Sequence, residues 1–391
     1  MKIIQILHHS LSSFNLNADP RFYEDDWHVR VGKRIKEMGD EYDVECWRPE
    51  RSFKKIYSRI DNNGIKYQIF PSTYHNFRFE YSIPMFRELR KEIKKGDALL
   101  HLHGIYNFNS YSMLSVIGKN APIIAQSHGG FPAIIEFKKS SHPLRFIFLI
   151  DYLPQMISFK NVNHFFVLNK EEEKTISRFG RAEIQPMGVD FNIFKPINRD
   201  VALDATKLED QQYLLFVGRL DRNKGLVYLF KAFKKLLKEH KMKLLIAGEG
   251  PNKNEFELQV RKLGILDHVK FLGHIPNDML PYYYNISEVT IFPSLKEGYS
   301  ITPVESLACE TPLIATNVGA ASEITEHFRG GSRIIPMYDS DAIVQAIKDV
   351  IYGKINKSEI NRENGKRYHD WEGIINNTIE VYDTLIEEYY G

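Results

Sequence analysis

Residues 213–225 read YLLFVGRLDRNKG and contain the local pattern from which this chain is built. Tyr213–Val217 is apolar on both faces, as expected of a strand buried in a parallel sheet. Gly218 follows and permits a tight turn, and a segment with helical spacing runs from 224 to 240. A strand, a glycine turn and a helix in this order predict one unit of an α/β fold.

The same alternation recurs along the whole sequence. In the first half, strands are predicted over 2–7, 43–47, 66–70, 98–103, 122–127, 164–168 and 183–186. In the second half, they are predicted over 213–217, 243–247, 269–272, 289–293, 312–316 and 333–336. Helical segments such as 27–38, 84–95 and 170–179 separate them. The pattern predicts an α/β fold with two doubly wound, Rossmann-like domains facing across a cleft, where the carboxyl ends of the strands bind ligands.

The length of 391 residues fits two domains of about 150–200 residues each. We place one domain at 1–190 and a second at 191–371, with the linker near 188–196. Residues 372–391 form an amphipathic helix that we expect to pack back on the first domain.

Composition excludes several classes of protein. The 52 Lys and Arg residues nearly balance the 50 Asp and Glu residues, so the net charge is +2, and we expect no nucleic-acid partner. The only cysteines are Cys46 and Cys309, which argues against a disulfide scaffold or a cysteine metal cluster and favours a reducing compartment. A bilayer span needs about 20 mostly apolar residues, and no such run is present. We therefore expect a cytoplasmic protein, with the inner face of the membrane as a further location.

The charge is unevenly distributed. Residues 51–150 carry a net charge of +9, whereas residues 191–391 carry −3. The basic region is either an ordinary solvated surface or a docking face for an anionic partner.

The loop after 213–217 carries two cations, Arg219 and Lys224. A planar guanidinium and a flexible ammonium suit a diphosphate, although many pairs with this spacing are surface charges. Residues 294–305, SLKEGYSITPVE, follow a second buried strand and enter a helix. Thr302, Pro303 and Glu305 fit a capping box, which gives Glu305 a structural alternative to ligand binding. Glu297 has no such alternative, and together the two carboxylates could also meet the spacing used in glycoside hydrolysis.

Five motifs occur in a fixed order: Gly218-Arg219-Leu220 with Lys224-Gly225, Ala247-Gly248-Glu249-Gly250-Pro251, residues 269–274, the Glu297/Glu305 pair and residues 312–319 (PLIATNVG). Together they resemble the retaining, nucleotide-sugar-dependent glycosyltransferases of GT-B fold, family 4 (glycosyl transferases group 1). The resemblance is strong over 213–352 and continues upstream through residues 101–104, 126–130 and 186–190. It departs in the loop 8–20, which lacks the usual paired glycines, and at Met187, where asparagine is common.

The resemblance implies a role for each matching residue. Arg219 and Lys224 neutralise the donor diphosphate as it leaves, and Glu297 accepts hydrogen bonds from the donor sugar. Glu305 holds the ribose hydroxyls, which suits a carboxylate. The loop Gly298, Tyr299, Ser300 and Ile301 contacts the phosphate, and Gly218 and Gly250 belong to the donor site. His128 touches the donor sugar; its structural alternative is a histidine that ends a buried strand.

The resemblance also implies a hexosyltransferase that retains the anomeric configuration and needs no cofactor and no obligatory metal. The expected substrates are a nucleotide-diphosphate sugar and a glycan or lipid-linked acceptor, with 191–371 as the donor-binding domain and 1–190 as the acceptor-side domain. The alternatives are a sugar phosphorylase or nucleotide-sugar epimerase on the same fold, or a non-catalytic nucleotide-sugar-binding subunit.

Three further features have both a functional and a structural interpretation. Two of them resemble metal sites, and the third resembles a membrane-contacting segment. Asp339-Ser340-Asp341 resembles an acidic metal triplet but directly precedes a helical segment, so we predict helix capping. His101 and His103 lie on one face of a strand, and we favour a structural or acceptor-side role over a metal. Residues 131–160 mix Lys138, Lys139 and Arg145 with large apolar residues, which fits either peripheral membrane contact or a buried helix with solvated ends.

Overall fold

The computed structural model describes residues 1–10, 21, 26–75, 80–129 and 147–391. Within them the chain divides into two units. The first contains Met1–Pro186 and Ile374–Gly391, and the second contains Met187–Gly373.

The strands of the first unit are β1 (Lys2–Leu7), β2 (Asp43–Glu50), β3 (Tyr57–Ile60), β4 (Lys66–Pro71), β5 (Tyr74–His75), β6 (Glu80–Tyr81), β7 (Ala98–His103), β8 (Ile123–Gln126), β9 (His164–Val167) and β10 (Arg181–Ile184). Its helices are α1 (Trp27–Met38), α2 (Ile83–Lys95), α3 (Phe108–Ile117), α4 (Ile147–Ser158) and α5 (Lys170–Ile176). Eight of these strands form one sheet in the order β10-β9-β8-β7-β1-β2-β4-β3.

The first sheet is parallel except at one edge. There β3 pairs antiparallel with β4, and β5 and β6 form a separate antiparallel pair. The sequence pattern predicted no strand at this edge. The short strand β3 alternates half-buried and exposed residues, so it lacks the two-faced apolar run that identified the other strands.

The second unit contains the helices α6 (Arg199–Thr206), α7 (Leu226–Leu236), α8 (Lys253–Leu263), α9 (Leu280–Ile286), α10 (Thr302–Ala308), α11 (Ala321–Phe328), α12 (Ser340–Ile351) and α13 (Arg362–His369). Its strands are β11 (Tyr213–Val217), β12 (Lys243–Ala247), β13 (Val269–Gly273), β14 (Ser287–Phe292), β15 (Leu313–Thr316) and β16 (Ser332–Ile335). All six pair in parallel in the order β13-β12-β11-β14-β15-β16. The core lies between this sheet and helices such as α7, whose apolar face is fully buried.

The last helix, α14 (Trp371–Tyr390), begins in the second unit and from Ile374 onward belongs to the first. Its buried Tyr382 contacts Gln5 of β1 and His101 of β7, and Tyr42 donates a hydrogen bond to Asp383. This helix therefore covers the first sheet.

The two parallel, helix-covered sheets confirm the prediction of two Rossmann-like α/β domains. Within the described ranges, no helix is long and apolar enough to cross a membrane.

Candidate functional site

The order of strands in the second unit determines where a ligand site can form. From β11 the chain runs outward through β12 and β13, then returns to β14 and continues in the opposite direction to β15 and β16. The carboxyl ends of β11 and β14 therefore lie at the point where the strand order reverses. Open α/β sheets bind ligands at this place. Residues 218–225 follow β11 and residues 293–301 follow β14.

The two loops are joined by backbone contacts. Leu295 N–H donates a hydrogen bond to the carbonyl of Asn223 at 2.6 Å. Gly225 has a φ of +68°, and a Cβ at this position would overlap the carbonyl oxygen of Pro293. Only glycine permits this approach, so the loop after β11 is held against the end of β14.

These contacts bring Lys224 and Glu297 together. Lys224 Nζ lies 2.6 Å from Glu297 Oε1, and both side chains are largely buried, with 17% and 12% of their surface exposed. The two residues are 73 positions apart in sequence, and the structure unites two motifs that were identified separately.

Arg219 lies on the same loop but is exposed, and within the described part of the chain it forms no ion pair. The adjacent backbone is close-packed. Gly218 N–H bonds to the carbonyl of Ala247, and the backbone at Leu220 leaves no room for a Cβ at Gly250. Gly218 and Gly250 thus allow the loops after β11 and β12 to pack together, while the guanidinium of Arg219 stays accessible.

The loop Gly298–Ile301 is held from two sides. A Cβ at Gly319, in the loop after β15, would lie 2.9 Å from the carbonyl oxygen of Tyr299. The buried Tyr299 hydroxyl lies 3.0 Å from His369 Nδ1, and His369 in turn contacts His327. Burial raises the pKa of Tyr299 and lowers that of His369 to about 3, so both groups are neutral near pH 7.

Ser300 in this loop adopts a φ of +87°. A non-glycine residue in this region is strained, and such strain is concentrated at functional sites.

The predicted capping box at the start of α10 is wrong. Ile301 is the N-cap residue and makes no side-chain cap. Thr302 Oγ1 instead donates to the carbonyl of Val217 at 3.4 Å, and Glu305 Oε2 accepts a hydrogen bond from the Tyr284 hydroxyl at 2.7 Å. Glu305 is only 2% exposed. Both side chains therefore bond to residues of β11 and α9, which are distant in sequence, and not to the backbone N–H groups of the first turn of α10.

His128 lies in the first unit, after β8, beside a group of buried histidines. Its Nε2 is 2.7 Å from Nδ1 of His103, which ends β7. His8, after β1, bonds through Nδ1 to the carbonyl of His103, and His101 bonds to Tyr382. The first sheet reverses its strand order between β7 and β1, so these residues lie at its switch point.

Burial keeps this histidine cluster uncharged. Desolvation lowers the pKa of His8, His101 and His128 to about 3, and that of His9 to about 4. The same cause holds the pKa of His103 well below its usual range. At neutral pH these residues act as hydrogen-bonding groups and not as cations.

Two of the features that resembled metal sites have structural partners. Asp339 caps α12, with Oδ1 accepting from the N–H groups of Asp341 and Ala342 at 2.9 Å, as predicted. His101 and His103 share one face of β7 with ring centroids 4.3 Å apart. Across the described ranges, no cluster of three or more His, Cys, Asp or Glu has metal-binding geometry.

Parts of two sequence predictions lie outside the described residues. They are the loop beyond Ser10 and residues 130–146, which include Lys138, Lys139 and Arg145. Each unit also has buried polar residues that sequence reasoning missed: Tyr284 and His369 beside the loops of the second unit, and Gln5 and Tyr382 beside the histidines of the first. Their contacts are with residues distant in sequence, so no local pattern marks them.

Comparison with known proteins agrees with this geometry. Residues 200–368 match the family model of the glycosyl transferases group 1. An uncharacterised glycosyltransferase of Methanocaldococcus jannaschii is 32% identical over 183 residues, which cover 46% of each chain. The chain spans about half the length of the curated relatives it matches.

Solved structures match along nearly the entire chain. Sucrose-phosphate synthase from Thermosynechococcus elongatus superposes with a TM-score of 0.74 at 19% identity, covering 99% of both chains. HepE of Anabaena, solved in complex with UDP and glucose, gives a TM-score of 0.69 at 15% identity, covering 98% of this chain and 100% of that one. The fold is therefore of the GT-B class. The match to the glycosyl transferases group 1 family lies within the second unit.

Proposed function

We propose that this protein is a retaining hexosyltransferase that moves a hexosyl unit from a nucleotide-diphosphate sugar to a hydroxyl of a glycan or lipid-linked acceptor. The observation that carries the proposal is the Lys224–Glu297 pair at the switch point of a fully parallel sheet. A cation and a carboxylate at this position can bind the two ends of a sugar diphosphate, because phosphate oxygens need the ammonium and sugar hydroxyls need the carboxylate.

Arg219 and Lys224 stabilise the diphosphate as it leaves. Negative charge develops on the leaving oxygen during transfer. Cations that are already in position before the reaction lower the activation barrier most, because they need no reorganisation. Lys224 is fixed by Glu297, whereas the exposed Arg219 is accessible to a ligand. In the proposed reaction the acceptor hydroxyl attacks the same face that the diphosphate leaves, and the departing phosphate takes the hydroxyl proton.

Glu305 and the loop Gly298–Ile301 bind the rest of the donor. Glu305 Oε2 accepts a hydrogen bond from the Tyr284 hydroxyl, which orients the carboxylate, and a carboxylate has several acceptor sites, which suits a ribose diol. The strained Ser300 turns the backbone between Glu297 and α10, where its amides can bind phosphate. His128 binds a hydroxyl of the substrate. We propose that no metal is obligatory, since Arg219 and Lys224 supply the positive charge.

Peripheral membrane contact, at the inner face of the membrane, is part of the proposal. Ile150, Leu153 and Ile157 project from one face of α4, and each is more than half exposed, at 62%, 65% and 58%. Three exposed apolar side chains at helical spacing form a surface that a lipid headgroup region can accommodate. The sequence preceding α4 is basic, which favours an anionic membrane.

A panel of nucleotide sugars tests donor binding. The melting temperature of the full chain is measured with UDP-, GDP- and ADP-sugars, each with and without EDTA. A ligand at 100 times its Kd stabilises a protein by about 2.7 kcal/mol, so one member of the panel should raise the melting temperature clearly, and EDTA should not remove the effect. A chain that none of the nucleotide sugars stabilises would contradict the proposal.

Two substitutions test catalysis. Lys224→Ala and Glu297→Ala should each lower the rate of sugar transfer or donor hydrolysis by about 100-fold or more. Arg222→Ala is the matched control: Arg222 lies in the same loop, is 74% exposed and pairs with Glu255, so its loss should leave the rate unchanged.

The products separate the alternatives. Sugar release that depends on free phosphate would indicate a phosphorylase, and an epimerised donor formed without acceptor would indicate an epimerase. Binding without turnover in every condition would indicate a non-catalytic subunit. Inversion of the anomeric configuration in the transferred sugar would contradict the retaining mechanism.

A further inference from the structure

A chain of buried hydrogen bonds runs through the first unit from its last helix to His128. Tyr382 of α14 contacts Gln5 of β1, whose Nε2 donates to the tyrosine oxygen at 2.8 Å. Gln5 Oε1 lies 2.7 Å from His103 Nε2, and His103 Nδ1 lies 2.7 Å from His128 Nε2. Gln5 and His103 are completely buried, so water does not compete for these bonds.

The direction of each bond follows from its chemistry. Since the Gln5 amide donates to Tyr382, its carbonyl oxygen must accept from His103, which places the His103 proton on Nε2. The Nδ1 of a neutral His103 is then an acceptor, and the bond to His128 requires a proton on His128 Nε2. At the other end, the Tyr382 hydroxyl donates its own proton to His101 Nδ1, which lies 2.6 Å away.

The geometry between the two histidines supports this direction. Their ring planes differ by 2°, and the centroids are 5.0 Å apart although the nitrogens are only 2.7 Å apart. The rings therefore meet edge to edge in one plane, so the N–H of one ring points along the lone pair of the other. This is the favourable alignment for a hydrogen bond.

His128 Nδ1 is then left as an acceptor. This atom is buried from solvent and has no hydrogen-bond partner in the described ranges. The indole of Trp27 stacks on the ring at a centroid distance of 5.5 Å and limits its rotation. A buried acceptor without a partner is costly unless a ligand supplies the donor.

We propose that Tyr382, Gln5 and His103 are positioning residues that hold His128 as the neutral Nε2–H tautomer, so that its Nδ1 accepts a hydrogen bond from a substrate hydroxyl. The ligand part of this inference rests on the proposed sugar transfer, whereas the tautomer does not. Burial keeps the pKa of His128 near 3, which agrees with a neutral ring. Because its Nδ1 can only accept a hydrogen bond, a histidine held in this way favours a ligand hydroxyl, which can donate, over a ligand atom that can only accept.

The tautomer can be observed directly in the full chain. Nitrogen-15 NMR of protein labelled at histidine, with His128→Gln as the assignment control, should show an unprotonated Nδ1 and a protonated Nε2 for His128 at pH 7.5. A proton on Nδ1 would mean that the bonds run in the opposite direction and would overturn the inference. This measurement needs neither substrate nor activity, so it stands apart from the test of the proposed function.

Two substitutions interrupt the chain at a distance from His128. Gln5→Met removes the acceptor for His103, and Tyr382→Phe removes the acceptor for the Gln5 amide. Each should produce a mixture of both His128 tautomers and a five- to tenfold lower kcat with little change in KM, the effect of one lost hydrogen bond. Tyr42→Phe is the control, because it removes a different hydrogen bond to α14, the one to Asp383. An unchanged His128 tautomer in Gln5→Met would contradict the positioning role.

The ligand part has its own readout. Adding a nucleotide sugar that stabilises the chain should shift the Nδ1 resonance of His128, because that nitrogen gains a hydrogen bond. If the tautomer is as proposed and Nδ1 does not respond to any stabilising sugar, the assignment of a hydroxyl ligand to His128 is wrong and the positioning chain stands.

Discussion

Gly225 packs directly against the carbonyl group of Pro293, and no side chain fits between them. This contact joins the loop after β11 to the end of β14. It brings Lys224 Nζ to 2.6 Å from Glu297 Oε1, so that the two side chains form an ion pair. The geometry of the candidate site therefore depends on a residue that carries no functional group.

The contact predicts a large effect for Gly225→Ala. Gly264 provides a matched control, because it has the same φ of +68° and nothing lies within 4 Å of a Cβ added there. Gly264→Ala should cost about 1 kcal/mol of stability through backbone strain alone. Gly225→Ala should cost at least about twice as much and should also weaken nucleotide-sugar binding. Chemical denaturation and binding titrations measure both quantities, and equal costs at the two glycines would contradict the prediction.

The hydrogen bond between Tyr284 and Glu305 predicts a second effect. Tyr284→Phe leaves a nearly completely buried carboxylate with one bond fewer, which should lower the free energy of unfolding by about 1–3 kcal/mol and weaken donor binding. Tyr283→Phe is the control, because the Tyr283 hydroxyl forms no hydrogen bond within the described ranges. If the two variants have the same stability and the same donor affinity, the Tyr284 bond does not orient Glu305.

The buried histidines predict loss of stability in mild acid. His8, His9 and His128 have pKa values of about 3, 4 and 3 in the folded chain, against an ordinary value of about 6.5. Below pH 6.5 the unfolded chain takes up protons that the folded chain does not. The stability is therefore complete above pH 6.5 and decreases as the pH falls toward 4.

Urea denaturation at pH 7.5, 6.0 and 5.0 checks this trend in a range where most carboxylates are still ionised. Each histidine contributes up to about 1.4 kcal/mol per pH unit. His28→Met should reduce the slope, because burial also holds the pKa of His28 well below its usual range. His75→Gln, at an exposed position, should leave the slope unchanged. Constant stability from pH 7.5 to 5.0 would contradict the prediction.

The apolar face of α4 predicts binding to anionic vesicles. Replacing Ile150, Leu153 and Ile157 together by serine should weaken sedimentation with phosphatidylglycerol vesicles, because apolar area inserted into the headgroup region is lost. Removing the three cations Lys138, Lys139 and Arg145 should weaken the same binding, by about 1 kcal/mol for each. Serine at Leu258 and Leu266, two exposed apolar positions of the second unit, should have no effect. Unchanged vesicle binding in both sets of variants would exclude membrane contact through this region.

Local patterns were sufficient to predict most strands and the fold class. A run such as Tyr213–Val217 is apolar on both faces only when helices cover both sides of a sheet, so its composition already implies a parallel α/β arrangement. The helix cap at Asp339 was also predictable from local sequence. Its carboxylate accepts hydrogen bonds from the backbone N–H groups two and three residues ahead, and such a contact depends on sequence spacing alone.

Predictions failed where a local partner competed with a distant one. Thr302 and Glu305 have the spacing of a capping box, yet Val217 and Tyr284 engage their side chains. The edge strand β3 was missed because only its pairing with β4 defines it.

The sequence by itself determined the parallel α/β fold, the ordered motifs at the carboxyl ends of β11, β12, β14 and β15, and the residue types able to bind a sugar diphosphate. These properties depend on neighbours a few positions apart along the chain. The tertiary structure alone decided that Lys224 meets Glu297, that Tyr284 orients Glu305 and that Tyr382 reaches His128 through Gln5 and His103. Such contacts join residues from 21 to 377 positions apart, and only the packing of the sheets brings them within hydrogen-bonding distance.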